Sequence, residues 1–207
     1  WKNAHGTQVA GILGARGNNG EDIVGVNWKA PLWFYEILGL TDYALSTWGN
    51  KPSASLAQAR AAMALAANDG ARVINYSFGR VWRDPETGAL LCPGDGMAAG
   101  GFGADEWAAV LDEGRSVWRP VMDIVKARDA IVVVAAGNNG DLANDCFVDA
   151  KWTGGPAALG DEYPDNVITV AAVGDPRNSG GYFSAWRDEW FGAANLTNIG
   201  PSVDIAA

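Results

Sequence analysis

Small and apolar residues recur at helical spacing in several parts of the chain, and this pattern predicts helices. The first is ended by the Gly-Asn-Asn-Gly segment at 17–20, because these residues favour turns over helix. An alanine-rich stretch ends at Gly70, a residue that commonly terminates helices. Pro120 fits the first turn of the last helix. The predicted helices cover residues 5–15, 57–68, 105–111 and 121–128.

Runs of β-branched, aliphatic and aromatic residues predict strands. The run at 131–136 is nearly all apolar, which is typical of a strand covered on both faces. Further strands are predicted over 32–38, 73–78, 166–173 and 202–206. Helices that alternate with apolar strands predict an α/β domain with a mostly parallel sheet and helices on both faces. Functional loops of such a sheet follow the C-terminal ends of its strands.

Composition and charge exclude several classes of function. The 207 residues include 15 Lys+Arg and 24 Asp+Glu, a net charge of −9, and no basic cluster, so no nucleic-acid partner is expected. A hydrophobic content of 48% excludes intrinsic disorder. No apolar run approaches the ~18–20 residues that span a membrane. Ten tryptophans would suit a carbohydrate-binding module, but they are dispersed and many lie in apolar segments, which favours a packing role.

Two polar residues are candidates for chemistry. His5 is the single histidine and stands at a predicted helix start, where a base can face a cleft. To act as a base it would need a nucleophile and an orienting carboxylate nearby. A lone histidine is nevertheless more often structural. Asn138 follows the apolar strand in a Gly-Asn-Asn-Gly segment and, judged alone, is more often a turn residue.

Four segments resemble, in the correct chain order, motifs of the subtilisin-like serine peptidases, the subtilases. His-Gly-Thr-Gln-Val-Ala-Gly at 5–11 resembles the family's histidine motif, with Gln8 where a second histidine is common. Residues 73–79 are similar to the strand that lines the substrate cleft. Residues 133–140 resemble the segment with the oxyanion-hole asparagine, and residues 203–207 the strand that runs toward the catalytic serine. The resemblance implies a subtilisin-like three-layer sandwich.

The resemblance implies a serine endopeptidase that uses an Asp-His-Ser triad. His5 would be the general base, and Asn138 would donate a hydrogen bond to the oxyanion. The family's aspartate is expected before His5 and its serine after Ala207, and no Gly-Thr-Ser occurs in the sequence. We therefore expect an internal fragment, truncated at both ends, that has no activity by itself. The alternative is a catalytically inactive subtilase-like domain that binds peptides.

The resemblance also implies how a polypeptide substrate is bound. The edge segment would pair with the extended substrate backbone, as an added β-strand does. One pocket wall would accept the side chain before the scissile bond, and the pocket floor would fall within residues 152–159. The edge segment consists of Ser77, Phe78 and Gly79, and the wall of Ala136 and Gly137.

Residues 1–207 are predicted to form one partial peptidase domain with insertions at about 41–52 and 80–115. Cys92 lies in the second insertion, and Cys146 lies beyond the predicted strand 131–136. In a subtilase-like sheet both loops would emerge at the substrate-facing end, so a disulfide is expected. Two separate thiols are the alternative.

Further expectations follow from the same resemblance. Asn18, Asn19 and Asp22 lie where many subtilases bind a structural calcium through oxygen ligands, although asparagine-rich turns without metal are commoner. No cofactor is expected for catalysis. The parent protein is expected to be secreted or held in the cell envelope, and a propeptide is a possible partner.

Overall fold

A computed structural model describes residues 5–21, 23–37, 56–79, 104–138, 149–173, 197–198 and 200–207. The chain forms two compact units, Trp1–Lys51 and Pro52–Ala207. Several predicted features lie outside the described residues: Asp22, Cys92, Cys146, the whole predicted insertion at 41–52, and the greater part of the one at 80–115. The expected disulfide and the two insertions therefore stay predictions.

The first unit contains helix α1, His5–Gly14, as the sequence predicts. The N–H groups of residues 25–27 donate to the carbonyls of residues 12, 13 and 15 at 2.9–3.0 Å, so they satisfy groups that a helix end leaves without partners. A Cβ at Gly25 would clash with the Ala15 nitrogen. Only glycine therefore allows this close crossing at the end of α1.

The predicted strand over 32–38 is wrong for the residues that the structure describes. Residues 31–37 are irregular rather than β-strand. A strand is defined by hydrogen bonds to a neighbouring strand, and the described part of the first unit contains no other strand that could provide them. The aromatic and aliphatic side chains suit a strand locally, but local preference does not supply the partner.

The second unit is an α/β structure built on a parallel sheet. Its described strands are hydrogen-bonded in the order β1-β2-β3-β4, and all three pairings are parallel. This confirms the predicted α/β class and the parallel sheet. The helices are α2 (Leu56–Asp69) and α3 (Ala104–Ala127), the strands are β1 (Val73–Tyr76), β2 (Ile131–Ala135), β3 (Val167–Ala171) and β4 (Ile205–Ala206), and short 3₁₀ helices cover Ala150–Thr153 and Pro156–Leu159.

The core of this unit lies between the helices and the sheet. Helices α2 and α3 contact each other, and each contacts a strand, so both lie on the same face of the sheet. The buried positions of α2 recur at helical spacing and are mostly alanine, which allows α3 to approach closely. The fully buried side chains on the facing elements include Trp118, Met122 and Val125 of α3 and Val132 and Val134 of β2.

Helix α3 is longer than the sequence predicts. The two predicted helices, 105–111 and 121–128, are parts of one helix, and Pro120 lies in its interior rather than in a first turn. A proline lacks the N–H that would reach the Ser116 carbonyl, so the pattern favoured a break there. Trp118 and Met122 flank the proline and are completely buried. Their packing holds the helix together across this position, while Pro120 itself is exposed.

Replacement of Pro120 by alanine should stabilise the second unit. Proline costs about 3 kcal/mol relative to alanine inside a helix. Part of the gain is lost because alanine raises the conformational entropy of the unfolded chain. We expect P120A to raise the free energy of unfolding in urea by about 1–2 kcal/mol. E113A, an exposed alanine substitution in the same helix, should change it by less than about 0.5 kcal/mol. A destabilising P120A would contradict a helix that continues through this residue.

Candidate active site

The C-terminal edge of the sheet brings two predicted site segments side by side. Residues 77–79 follow β1, and residues 136–138 follow β2. The parallel register pairs Tyr76 with Val134, so both segments leave the sheet at the same edge. Neighbouring strands lie ~4.7–4.9 Å apart. The predicted substrate edge and the predicted pocket wall are therefore neighbours.

The turn after β2 is anchored as far as Gly137. Ala136 is 1% exposed, and its N–H donates to the Val170 carbonyl at 2.8 Å. Gly137 has a φ of 101°, which a side chain would disfavour. Its carbonyl accepts the N–H of Asn198 at 2.9 Å. The side chain of Asn138 then follows as an exposed group at the sheet edge.

Sequence reasoning missed the residues that support this turn. Thr197 and Asn198 are 3% and 0% exposed, although both are polar. The Thr197 hydroxyl oxygen accepts the Ala172 N–H at 3.0 Å, while the Asn198 backbone holds Gly137. Their segment has neither helical nor strand periodicity, so no local signal marks it.

The edge segment 77–79 begins beside a buried aromatic residue. Tyr76 is 8% exposed, and burial raises the pKa of its hydroxyl well above the ordinary range, so the ring stays neutral. Its ring meets that of Phe78 edge to face, with centroids 5.9 Å apart. The Asn75 amide donates to the Ser77 hydroxyl at 2.9 Å. These contacts hold the chain as it leaves β1.

Strand β4 runs parallel to β3 and ends at the same edge of the sheet. The Thr169 N–H donates to a carboxylate oxygen of Asp204 at 2.7 Å, and the Asp204 N–H donates back to the Thr169 carbonyl at 3.0 Å. The paired bonds fix the register of β4 on β3. The Ala207 N–H then donates to the Ala171 carbonyl at 3.0 Å, and the Ala207 carbonyl accepts the Val173 N–H at 2.9 Å. Residues at the end of β4 therefore lie on the edge that carries Asn138.

The predicted pocket floor is a compact, buried segment. Residues 155–159 are all buried, and Gly154 has a φ of 66° between the two 3₁₀ helices. The floor contacts α3, β2 and β3 through the helix Pro156–Leu159. The Asp149 carboxylate caps the preceding 3₁₀ helix by accepting the Lys151 N–H at 3.0 Å.

Charged groups on α3 and beyond the floor form a network at the surface. Arg119 contacts Glu162 through two bonds of 2.7 and 2.8 Å, and this hydrogen bonding lowers the pKa of the Glu162 carboxyl. Tyr163 donates to the Asp123 carboxylate at 2.7 Å. Burial, followed by this hydrogen bond, raises the pKa of Tyr163 to about 12. The Glu162 carboxyl therefore stays ionised and the Tyr163 hydroxyl stays neutral near neutral pH.

The predicted base belongs to the first unit. His5 is the first residue of α1, and its side chain is exposed. None of the side chains of α1 is buried within the described residues. The imidazole is thus presented at a helix start, as its sequence position predicts.

The predicted calcium loop is only partly described. Asn18 has a φ of 57°, and the Asn19 side-chain oxygen accepts the Glu21 N–H at 3.1 Å. That bond occupies one of the oxygens that the prediction offers to a cation. Among the described residues, no three His, Cys, Asp or Glu side chains are grouped in a way that could hold a metal ion. Calcium binding by Asn18, Asn19 and Asp22 therefore stays a prediction.

The described helices also bear on the membrane question. None of them is both long and apolar enough to cross a bilayer.

The fold and this edge define an α/β protein whose candidate site lies beyond the C-terminal ends of parallel strands. The sequence profile of the subtilase family, peptidase S8, matches residues 1–207. The chain therefore belongs to the subtilase family of serine peptidases. No curated protein matches it.

Two solved structures are similar to the chain among those found. One is the epidermin leader peptide processing serine protease EpiP from Staphylococcus aureus, with 23% identity, a TM-score of 0.49, and coverage of 98% of this chain and 39% of EpiP. The other is MycP1 with its N-terminal propeptide removed, with 22% identity, a TM-score of 0.50, and coverage of 99% of this chain and 52% of MycP1. The likeness to MycP1 supports the fold alone. The chain spans about half or less of either protein.

Replacement of Gly137 by alanine should loosen the turn before Asn138. A side chain at positive φ costs roughly 1–2 kcal/mol, and G137A should also speed hydrogen exchange at the Asn198 amide, which binds the Gly137 carbonyl. Gly70, with a φ of 96° and open space around it, provides the control. G70A should destabilise the protein by a similar amount without a selective effect at Asn198. Equal exchange at Asn198 in both variants would contradict this anchoring of the turn.

Proposed function

We propose that the protein is a serine endopeptidase that binds an extended polypeptide at the edge formed by residues 77–79 and 136–138. The observation that carries the proposal is the position of Asn138. Its exposed amide follows a positive-φ glycine at the end of β2, beside the end of β1. Membership of the subtilase family supports the same reaction. An amide presented by a fixed backbone suits the stabilisation of charge that develops on a carbonyl oxygen.

Each proposed residue has a separate role in peptide-bond hydrolysis. His5 takes the proton of the nucleophilic serine and later gives it to the leaving amine. Asn138 donates to the oxygen of the tetrahedral intermediate. The serine and the aspartate that orients the base would come from segments outside these 207 residues. A segment following Ala207 would start at the sheet edge that carries Asn138, because β4 ends there.

The substrate would bind along the backbone of residues 77–79, which follow β1. A peptide that lies alongside residues 77–79 would add a strand to the sheet and would be held by main-chain hydrogen bonds. The side chain before the scissile bond would then face Ala136 and Gly137. Because both are small, this wall leaves room for a sizeable side chain.

Three further properties are proposed from the family resemblance alone. The protein is secreted or held in the cell envelope, it binds a structural calcium at residues 18–22, and it carries a disulfide between Cys92 and Cys146. Metal analysis of the purified protein tests the calcium. Thiol titration of the unreduced protein tests the disulfide, since two reactive thiols would contradict it.

The first test concerns the base. In the full-length protein, H5A should lower kcat/KM on a peptide substrate by at least about 10³, because the serine then loses its proton acceptor. Q8A is the matched control, since Gln8 is also exposed and lies one turn along α1. It should stay within a few-fold of wild type. Wild-type protein that binds peptides without cleaving them would support the inactive peptide-binding alternative and overturn the proposal.

The second test concerns the oxyanion donor. N138L keeps roughly the side-chain volume and removes the donor, so kcat should fall by about 10²–10³ while KM changes little. This magnitude comes from subtilisin, a member of the same family. N68L removes an exposed amide from the end of α2, near the opposite edge of the sheet, and should leave kcat unchanged. An effect of N138L confined to KM would show that Asn138 contacts substrate in another way.

A further inference from the structure

Trp118 is the largest fully buried side chain in the described part of the chain, and it makes a specific polar contact. It is 0% exposed on α3. Its indole N–H donates to the Gly154 carbonyl at 2.9 Å. A buried indole donor needs such a partner, because an unmade hydrogen bond in the interior is costly. The bond therefore fixes the start of the predicted pocket floor to α3.

Arg115 provides a second attachment between the same two segments. Its Nε donates to the Ala158 carbonyl at 2.8 Å, and its guanidinium also contacts Asp161 at 3.1 Å. Arg115 and Trp118 lie three residues apart and so share one face of α3. One face of α3 thus holds the floor at Gly154, before the helix Pro156–Leu159, and at Ala158, within that helix.

The other side of Trp118 contacts the strand that leads into the substrate edge. Its ring meets the Tyr76 ring edge to face, with centroids 5.4 Å apart and planes at 72°. The Tyr76 ring in turn meets Phe78, which belongs to the edge segment. One buried side chain therefore touches both the element that ends at the edge and the segment that forms the floor.

We propose that Trp118 is a positioning residue that fixes the spacing between the edge segment 77–79 and the floor segment 152–159, and so determines which side chain the peptidase accepts before the scissile bond. This inference rests on the proposed endopeptidase function. Trp118 does not touch substrate. It acts through the Gly154 carbonyl and the Tyr76 ring, and Arg115 reinforces the floor end of this arrangement.

The test compares cleavage of peptides that differ only in the residue before the scissile bond. In the full-length protein, kcat/KM is measured for alanine, leucine and phenylalanine at that position. W118F keeps an aromatic ring and removes the donor, while R115M keeps the aliphatic stem and removes the bond to Ala158. We expect each variant to change the ratio of kcat/KM between phenylalanine and alanine peptides by about threefold or more, a change within the range that pocket contacts produce.

R119M is the matched control for R115M. Arg119 lies one turn further along α3 and pairs with Glu162, a residue that lies beyond the floor segment. It should leave the ratio unchanged, although the loss of its ion pair can lower the melting temperature slightly. A role of Trp118 in folding alone would lower kcat/KM equally for all three peptides, because it would only reduce the fraction of folded enzyme.

The outcomes separate this inference from the proposed function. If the wild type cleaves peptides and both variants keep the wild-type ratio, the positioning role is wrong and the endopeptidase function stands. If the wild type cleaves none of them, both fail. Should W118F not fold, R115M decides, because Arg115 is partly exposed and its replacement leaves the aromatic core intact.

Discussion

Strand β2 pairs in parallel with a strand on each side, and this pairing decides where the candidate site lies. β2 pairs with β1 and β3 in the same direction, so the three strands end at one edge of the sheet. Its side chains Val132 and Val134 are completely or almost completely buried, so a shift by one residue would turn them away from the helices. The register is thereby fixed, and with it the position of Asn138 beside the end of β1.

Helix α3 connects the stability of the fold to the geometry of the site. Packing of Trp118 and Met122 is strong enough to keep the helix continuous through Pro120. The same indole also donates to the Gly154 carbonyl, so a core residue beside the proline is bonded to the predicted pocket floor. Core and candidate site are therefore not independent here, since one face of α3 holds the predicted floor through the Trp118–Gly154 and Arg115–Ala158 hydrogen bonds.

The candidate site is supported by partners that lie far away along the chain. The turn at Gly137 is held by the backbone of Asn198, and β4 is held by Asp204 against Thr169. Each contact joins an exposed edge to a buried or half-buried polar group. Such groups are retained when they are hydrogen-bonded, because an unsatisfied polar group in the interior is costly. The edge can thus present Asn138 to solvent without losing its shape.

Periodicity and short motifs are local properties, so they were enough to predict the α/β class, helix α2, strands β1 to β3 and the family. The sequence also indicated that Asn138 follows a buried strand. The tertiary structure alone decided that α3 continues through Pro120, that residues 31–37 form no strand, and that Trp118 binds Gly154. The physical reason is the same in each case. Local preference selects a conformation, but hydrogen bonds and burial between distant residues decide whether that conformation is kept.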